Sequence, residues 1–261
     1  MRYEWAIMKV ANKLLAGRFM DFCRRHNALR IFPEMIKRLL SIFGNGEVYT
    51  LEECIQIYET LFRDFPFVYI GVRICPCRQA REKYDKNDLN VTDLNFFFSK
   101  TPGKKKWIKF TKFISIEEAK KLLVKMNQKG FVHTMFGGCA HLADGSVMLS
   151  LCNCKRGICI PMDWALDKNQ FKYQKPHNLA VIDQNKCIGV EECGKCLEYC
   201  YYNARVIDPS NGKIKIIDKN CMGCGLCRAR CPQDANVMEF LYKSKVLFYQ
   251  NLFKDIYAKY K

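Results

Sequence analysis

The stretch Cys221-Met-Gly-Cys224-Gly-Leu-Cys227-Arg-Ala-Arg-Cys231-Pro232 decides the fold of the last third of this 261-residue chain. Its spacing, C-x2-C-x2-C-x3-C-P, is one that holds iron–sulfur clusters through cysteine thiolates. Three closely spaced cysteines on a tight loop can wrap one side of a [4Fe–4S] cubane. Gly223 and Gly225 suit such a loop, because glycine tolerates positive φ and lets backbone N–H groups approach sulfur.

A second cysteine run lies upstream, Cys187-x5-Cys193-x2-Cys196-x3-Cys200, and it repeats the pattern with a longer first gap. In paired runs of this kind the fourth cysteine of each run ligates the other cluster. The sequence therefore predicts two [4Fe–4S] clusters with crossed ligands. Cluster one takes Cys187, Cys193, Cys196 and Cys231. Cluster two takes Cys221, Cys224, Cys227 and Cys200.

Zinc and disulfides are the alternative interpretations of the two runs. Zinc takes four ligands in two pairs, whereas each run here has three close cysteines followed by a fourth. Disulfides require an oxidising compartment, and we see no export signal, because Lys9 and Lys13 interrupt the apolar residues near the N-terminus. The spacing therefore favours iron–sulfur clusters over either alternative.

Residues 179–240 resemble a two-cluster bacterial-type ferredoxin domain. Val181-Ile-Asp183 precedes the first run and Ile216-Ile-Asp218 precedes the second, while residues 204–207 and 235–238 follow the two runs. Each half thus predicts a strand, a cysteine loop, a short helix and a strand, and the halves are related by a pseudo-twofold axis. The resemblance implies the transfer of single electrons at low potential.

The fold class that we expect is α+β, with a helical and mixed α/β N-terminal domain before the small two-cluster ferredoxin domain. Residues 5–43 predict two helices. In the first of these helices, apolar residues recur at helical spacing on one face. They are Ile7, Val10, Leu14, Leu15 and Phe19. This face either packs inside the domain or meets a membrane surface or partner. The expected divisions are basic helices at 1–46, a cysteine-containing α/β domain at 47–178, the ferredoxin domain at 179–240 and an amphipathic helix at 241–261.

Two segments of the middle domain look like copies of one another. Thr50-Leu-Glu-Glu53 and Ser115-Ile-Glu-Glu118 are capping boxes, and each predicted helix leads through an apolar strand to a C-x-C motif. We expect the two motifs to converge on a third metal site, a [4Fe–4S] cluster or zinc. Its predicted ligands are Cys75, Cys77, Cys152 and Cys154, with Cys159 and Cys139 as alternates. The other interpretation is a set of reduced buried thiols, as we expect for Cys23 and Cys54.

These segments also resemble the N-terminal portion of a broad group of ferredoxin-family iron–sulfur proteins. The motifs that carry the resemblance come in the order C-x-C-R, T/S-x-E-E, G-x-V-H and C-N-C. In this chain they are Cys75-Pro-Cys77-Arg78, Ser115-Ile-Glu-Glu118, Gly130-Phe-Val-His133 and Cys152-Asn-Cys154. The resemblance covers residues 47–240 and implies a cysteine-bearing domain joined to an electron-transfer domain.

The chain carries a net charge of +17, and most of this excess precedes residue 179. Such a basic region can dock an acidic redox partner, a larger oxidoreductase complex or an anionic membrane surface. No nucleic-acid-binding motif accompanies it. We see neither a transmembrane segment nor a secretory signal, so sixteen cysteines predict a reducing cytoplasm, with peripheral membrane contact left open. Clusters of this kind suggest an anaerobic host.

The sequence leads to three candidate functions. The first is an iron–sulfur electron-transfer protein, acting as a subunit or dedicated partner of a larger anaerobic oxidoreductase rather than as an enzyme with catalytic residues of its own. The second is a redox enzyme with a substrate or active cluster site in the N-terminal domain. The third is a binding or assembly protein that the clusters stabilise.

Overall fold

The computed structural model describes residues 4–42, 46–65, 68–82, 93–98, 112–136, 140–141, 147–169 and 171–241. Over these ranges the chain forms α-helices and small β-sheets, which confirms the mixed α+β class. The predicted C-terminal helix at 241–261 lies outside the described residues, apart from Leu241. Cys139 also lies outside them.

The helices of the described residues range from four to fourteen residues. They are α1 (Glu4–Leu15), α2 (Arg18–Arg25), α3 (Ile31–Ile42), α4 (Leu51–Asp64), α5 (Pro76–Ala80), α6 (Ile116–Gln128), α7 (Ile160–Leu166), α8 (Gly189–Glu192), α9 (Lys195–Glu198) and α10 (Leu226–Ala229). Short 3-10 turns occupy Asn27–Leu29 and Asp218–Asn220.

The strands of the described residues form one larger sheet and two small ones. They are β1 (Gly46–Tyr49), β2 (Val68–Arg73), β3 (Asp93–Phe98), β4 (Lys112–Ile114), β5 (Val132–Phe136), β6 (Ala140–His141), β7 (Val147–Cys154), β8 (Asn178–Ile182), β9 (Arg205–Ile207), β10 (Ile214–Ile216) and β11 (Asn236–Phe240). The larger sheet has the order β1-β5-β7-β3-β2-β4, with β6 paired to β7.

The N-terminal segment forms three helices, α1 to α3, where the sequence predicts two. The first predicted helix breaks at Gly17, which takes an extended conformation (φ −78, ψ 165) and caps α2. Of the two settings expected for the apolar face of the first predicted helix, packing inside the domain is wrong for Ile7, Val10 and Leu14, because these side chains are more than half exposed. Contact of this face with a membrane surface or a partner stays a prediction. Leu15, together with Met8 and other small or apolar residues, packs instead on a cluster around Trp164.

Helix α4 begins where the sequence predicts, because the capping box of Thr50 and Glu53 forms. The hydroxyl of Thr50 accepts a hydrogen bond from the backbone N–H of Glu53 at 3.2 Å. The backbone N–H of Thr50 donates in return to the Glu53 carboxylate at 2.8 Å. Two N–H groups that the first helical turn leaves without partners are thereby satisfied. The interior face of α4 buries Cys54 fully, as the sequence predicts.

Strand register in the larger sheet determines which cysteines of the two C-x-C motifs are level with one another. Strands β2 and β7 both pair antiparallel with β3, one on each side, and therefore run parallel to each other. Arg73 of β2 and Cys152 of β7 are both opposite Asp93. Cys75 and Cys154 each come two residues later in the same direction. They are therefore level with one another at the same end of their strands.

The chain divides into two compact units, each made of separate stretches of sequence. The first unit contains Met1–Glu47, Phe67–Ser115 and Thr134–Gln174, and the second contains Val48–Pro66, Ile116–His133 and Lys175–Lys261. Helices α4 and α6 thus group with the C-terminal cysteine runs. The linear divisions expected from the sequence stay a prediction, since this grouping follows packing rather than chain order.

The last part of the second unit has the two-half arrangement that the sequence predicts. Strand β8, before the first cysteine run, pairs antiparallel with β11, after the second. Strands β9 and β10 form a hairpin. Its turn is closed by hydrogen bonds from the N–H of Asp208 to the carbonyl of Lys213 and from the N–H of Gly212 to that of Asp208. In chain order the first cysteine run joins β8 to β9 and the second joins β10 to β11.

Candidate metal centres

The first cavity of the second unit is surrounded by four cysteines from both runs. It has an empty volume of about 340 Å³, part of it open to solvent. The cysteines that line it are Cys187, Cys193, Cys196 and Cys231. Helix α8 fills the long first gap of the run and carries the exposed Glu191 and Glu192. The grouping is the one that the sequence predicts for cluster one, and ligation stays a prediction.

The second cavity has the same empty volume, about 340 Å³. The cysteines that line it are Cys200, Cys221, Cys224 and Cys227. Its walls also include Ala180 of β8, Met238 of β11 and Arg205 of β9. Cys200 of the first run thus lies with three cysteines of the second run, in the grouping that the sequence predicts for cluster two. The residues present fit a [4Fe–4S] group at each cavity, since each supplies four thiols.

The two fourth cysteines, Cys200 and Cys231, have matching environments. The backbone N–H of Ala204 donates to Sγ of Cys200 at 3.3 Å, and the backbone N–H of Ala235 donates to Sγ of Cys231 at 3.2 Å. Each bond spans four residues in the same sense. Hydrogen bonds of this kind stabilise thiolates and raise the reduction potential of a bound cluster.

Gly223 allows the second cysteine loop to lie against the adjacent strand. Its φ is +67°, in the region that favours glycine. A Cβ at this position would lie 2.3 Å from the carbonyl oxygen of Asn178 in β8. Gly225 has φ +73° and lies beside Thr50, the cap of α4. The glycines that the sequence singles out therefore serve close backbone approach as well as loop conformation.

Burial raises the pKa values of several cysteine thiols around the cavities. Desolvation raises the pKa of Cys196 to about 11, and it raises the pKa of Cys224 and of Cys227 as well. These thiols are therefore protonated at neutral pH before a cluster binds. Because clusters bind thiolates, assembly releases protons and becomes weaker as the pH falls.

Arg205 is a site residue that the sequence reasoning missed. It belongs to β9, is only 6% exposed, and its Nη2 donates to Sγ of Cys227 at 3.0 Å. The signal in the sequence was a single charge inside the strand Ala204-Arg-Val-Ile207. A buried charge at such a position needs an ionic or hydrogen-bonded partner.

Tyr201 and Arg230 join the cysteine loops to the end of α6 within the second unit. Tyr201, which takes the place that Pro232 has in the second run, donates its hydroxyl to the carbonyl of Gly130 at 2.9 Å. Burial raises the pKa of Tyr201 to about 12. Arg230 donates to the carbonyl of Asn127 at 3.0 Å and lies over the ring of Tyr199. The departure from the ferredoxin pattern at Tyr201 thus provides a packing contact.

Four cysteines of the first unit form a second kind of site. The thiol of Cys75 forms hydrogen bonds with those of Cys154 and Cys77, and Cys154 forms another with Cys159. The hydrogen bonds from Cys154 and Cys77 hold the pKa of Cys75 well below its ordinary value. Cys75, Cys154 and Cys159 are each less than 5% exposed.

Three members of this four-thiol group belong to the first choice made from the sequence, and that ligand set stays a prediction. Cys159, predicted as an alternate, takes part in it, whereas Cys152 is two residues before Cys154 and across β3 from Arg73. Cys75 precedes α5 and Cys159 precedes α7, each directly before the helix with proline in its first turn. Among the described residues, no three His, Cys, Asp or Glu side chains are placed to hold a single metal ion.

Comparison with known proteins supports an iron–sulfur assignment for the part of the chain that holds the two cysteine runs. Neither the curated proteins nor the solved structures include a match. None of the described helices is long and apolar enough to cross a bilayer. Residues 186–235 match the family model described as a 4Fe-4S dicluster domain. This part of the chain is therefore a ferredoxin-like iron–sulfur domain that binds [4Fe–4S] and supports electron transfer.

Proposed function

We propose that the protein relays single electrons through two [4Fe–4S] clusters, as a subunit or dedicated partner of a larger anaerobic oxidoreductase. The observation that carries the proposal is the pair of cavities, each lined by four cysteines drawn from both runs. When bound, such clusters accept and give up single electrons. The chain's own contribution is four thiols per cavity, N–H donors to the fourth cysteines and a partly buried setting, which together adjust the potential.

Metal analysis tests this function most directly. Protein purified without oxygen is expected to contain about eight iron and about eight acid-labile sulfides per chain for two clusters. Reduction with dithionite should bleach the visible absorption, and re-oxidation should restore it. A preparation that contains zinc alone, or iron that cannot be reduced and re-oxidised, would contradict the proposal.

A third [4Fe–4S] cluster at the four-thiol group extends the proposal. Its support is the convergence of four cysteines from two distant C-x-C regions, three of them almost completely buried. A redox site there would favour the second candidate function, a redox enzyme whose N-terminal cysteines act on a substrate. Zinc and simple buried thiols are the competing outcomes.

Serine substitutions separate these outcomes and also test which cysteines belong to the ligand set. If a third cluster is present, iron rises to about twelve per chain, and Cys75→Ser and Cys159→Ser each lower it by about four. Cys152→Ser is the matched control and should leave the iron content unchanged. An iron content of about eight in all four proteins, with no zinc, would identify the group as core thiols.

The N-terminal helices support docking on a redox partner, because apolar and basic side chains are exposed together on them. The exposed apolar side chains are Ile7, Val10, Leu14, Phe19, Phe22, Ile31, Phe32 and Met35. Exposed lysines and arginines lie between them, so an acidic protein surface is the favoured partner, ahead of an anionic membrane. Co-purification of a stable complex from the native host tests this; a chain that always purifies alone would count against it.

A further inference from the structure

Arg205 is a charged side chain in direct contact with a cysteine sulfur of the second cavity. Its guanidinium lines that cavity beside Cys227, and Nη2 is 3.0 Å from the Cys227 sulfur. Nη1 is buried, and among the described residues it has no hydrogen-bond acceptor. A donor that is nine-tenths buried at the cavity wall is therefore available to a further sulfur atom.

The burial of Arg205 needs a negative group to offset it. Taking a guanidinium out of water is strongly unfavourable unless an anion or several acceptors compensate. In the described part of the chain its one hydrogen bond is to a thiol sulfur, which is a weak acceptor when protonated. Four thiolates and a bound cluster would supply the missing negative charge. The arginine is therefore best explained by what the cavity binds.

Arg205 is placed at one of the two cysteine sets and not at the other. It is among the residues that line the second cavity, and it is not among those that line the first. Only Cys227 receives a hydrogen bond from it. The two halves of the domain, similar in their strands and in the bonds to Cys200 and Cys231, are therefore made unequal by this side chain.

We propose that Arg205 raises the reduction potential of the cluster held by the second cavity above that of the cluster held by the first. The inference rests on the proposed function. Reduction adds one electron and therefore one negative charge, which a nearby guanidinium stabilises, and hydrogen bonds to sulfur act in the same direction. An electron that reaches the pair from a low-potential partner then resides mainly at the second cavity. Arg205 thus acts on the cluster through its charge and its hydrogen bond, and it is not a ligand.

A redox titration of the full chain, followed by the electron paramagnetic resonance of its reduced clusters, tests the proposal. Arg205→Gln removes the charge, and we expect the equilibrium constant for reducing one cluster to fall at least tenfold. That corresponds to about 59 mV for a one-electron couple. Arg205→Lys keeps the charge and should shift the same cluster less. The matched control is Arg228→Gln, because Arg228 is more exposed and pairs with Glu52.

The shift is assigned to a cavity by repeating Arg205→Gln in a chain that also carries Cys231→Ser. That serine removes a cysteine of the first cavity and leaves the cysteines of the second intact. The shift is expected to persist there. The proposal is overturned if Arg205→Gln titrates like the unmodified protein, or if the cluster of the first cavity shifts more. If Arg205→Gln fails to fold, Arg205→Met removes the charge with another side chain of similar length, and a titration of that variant that matches the unmodified protein also counts against the proposal. Iron analysis distinguishes a failure of this inference from a failure of the proposed function, because a protein without iron contradicts the proposed function itself.

Discussion

The double variant Cys187→Ser/Cys231→Ser is expected to lose one cluster and keep the other, although its two changes are in different cysteine runs. Both side chains line the first cavity, so the second substitution removes nothing that the first has not already removed. The iron content should fall from about eight to about four per chain. In contrast, Cys221→Ser/Cys231→Ser changes one run only and should lose both clusters, because the two side chains line different cavities.

These two double variants control each other, since each carries Cys231→Ser and one further serine. Iron, sulfide and the spectrum of the remaining reduced cluster are measured after anaerobic purification. If each run held its own cluster, the results would be exchanged: Cys221→Ser/Cys231→Ser would keep about four iron atoms and Cys187→Ser/Cys231→Ser would keep none. The crossed ligand set does not survive that result.

Gly223→Ala is expected to destabilise the ferredoxin-like domain more than any other glycine substitution in the cysteine loops. The alanine would have to keep φ near +67°, and its Cβ would meet the carbonyl oxygen of Asn178 at 2.3 Å. Neither the loop nor β8 can move away without displacing a cysteine or breaking the pairing with β11. We expect a loss of at least about 1 kcal/mol beyond the strain of positive φ alone.

Gly212→Ala is the matched control, because Gly212 has nearly the same φ, +68°, but no atom within 4 Å of its Cβ position. Thermal unfolding of the two cluster-loaded variants under anaerobic conditions measures the difference. The midpoint for Gly223→Ala should lie about 3 °C or more below that for Gly212→Ala. Equal midpoints would mean that the close contact with Asn178 does not destabilise the Gly223→Ala variant.

Several features of the fold could be predicted from residues close together in the chain. The cysteine spacing, the strands on either side of each run and the capping box at Thr50 depend on contacts within a few residues. The capping box is an example: a hydroxyl and a carboxylate three residues apart need only the first turn of a helix to meet. The match of residues 186–235 to a 4Fe-4S dicluster domain confirms the iron–sulfur assignment.

The sequence left open whether the apolar face of α1 packs inside the domain, because a helical period identifies an apolar side without indicating how much of it is covered. Met8, Ala11 and Leu15 lie on one part of the apolar arc and pack on the cluster around Trp164. Ile7 and Val10 lie on the neighbouring part and are more than half exposed. Which part is covered depends on α5 and α7, which contact α1 from much later in the chain.

The sequence by itself predicted the two four-cysteine sets, because the spacing within each run and its repetition indicate crossed ligation of two clusters. The tertiary structure decided the two features that remain. Strand register places Cys154 level with Cys75, and the turn after β7 brings Cys159 to Cys154 in the four-thiol group. Packing of β9 against the second cavity brings Arg205 to Cys227. Both depend on contacts between distant segments, and residue spacing carries no information about the register or the depth at which such segments meet.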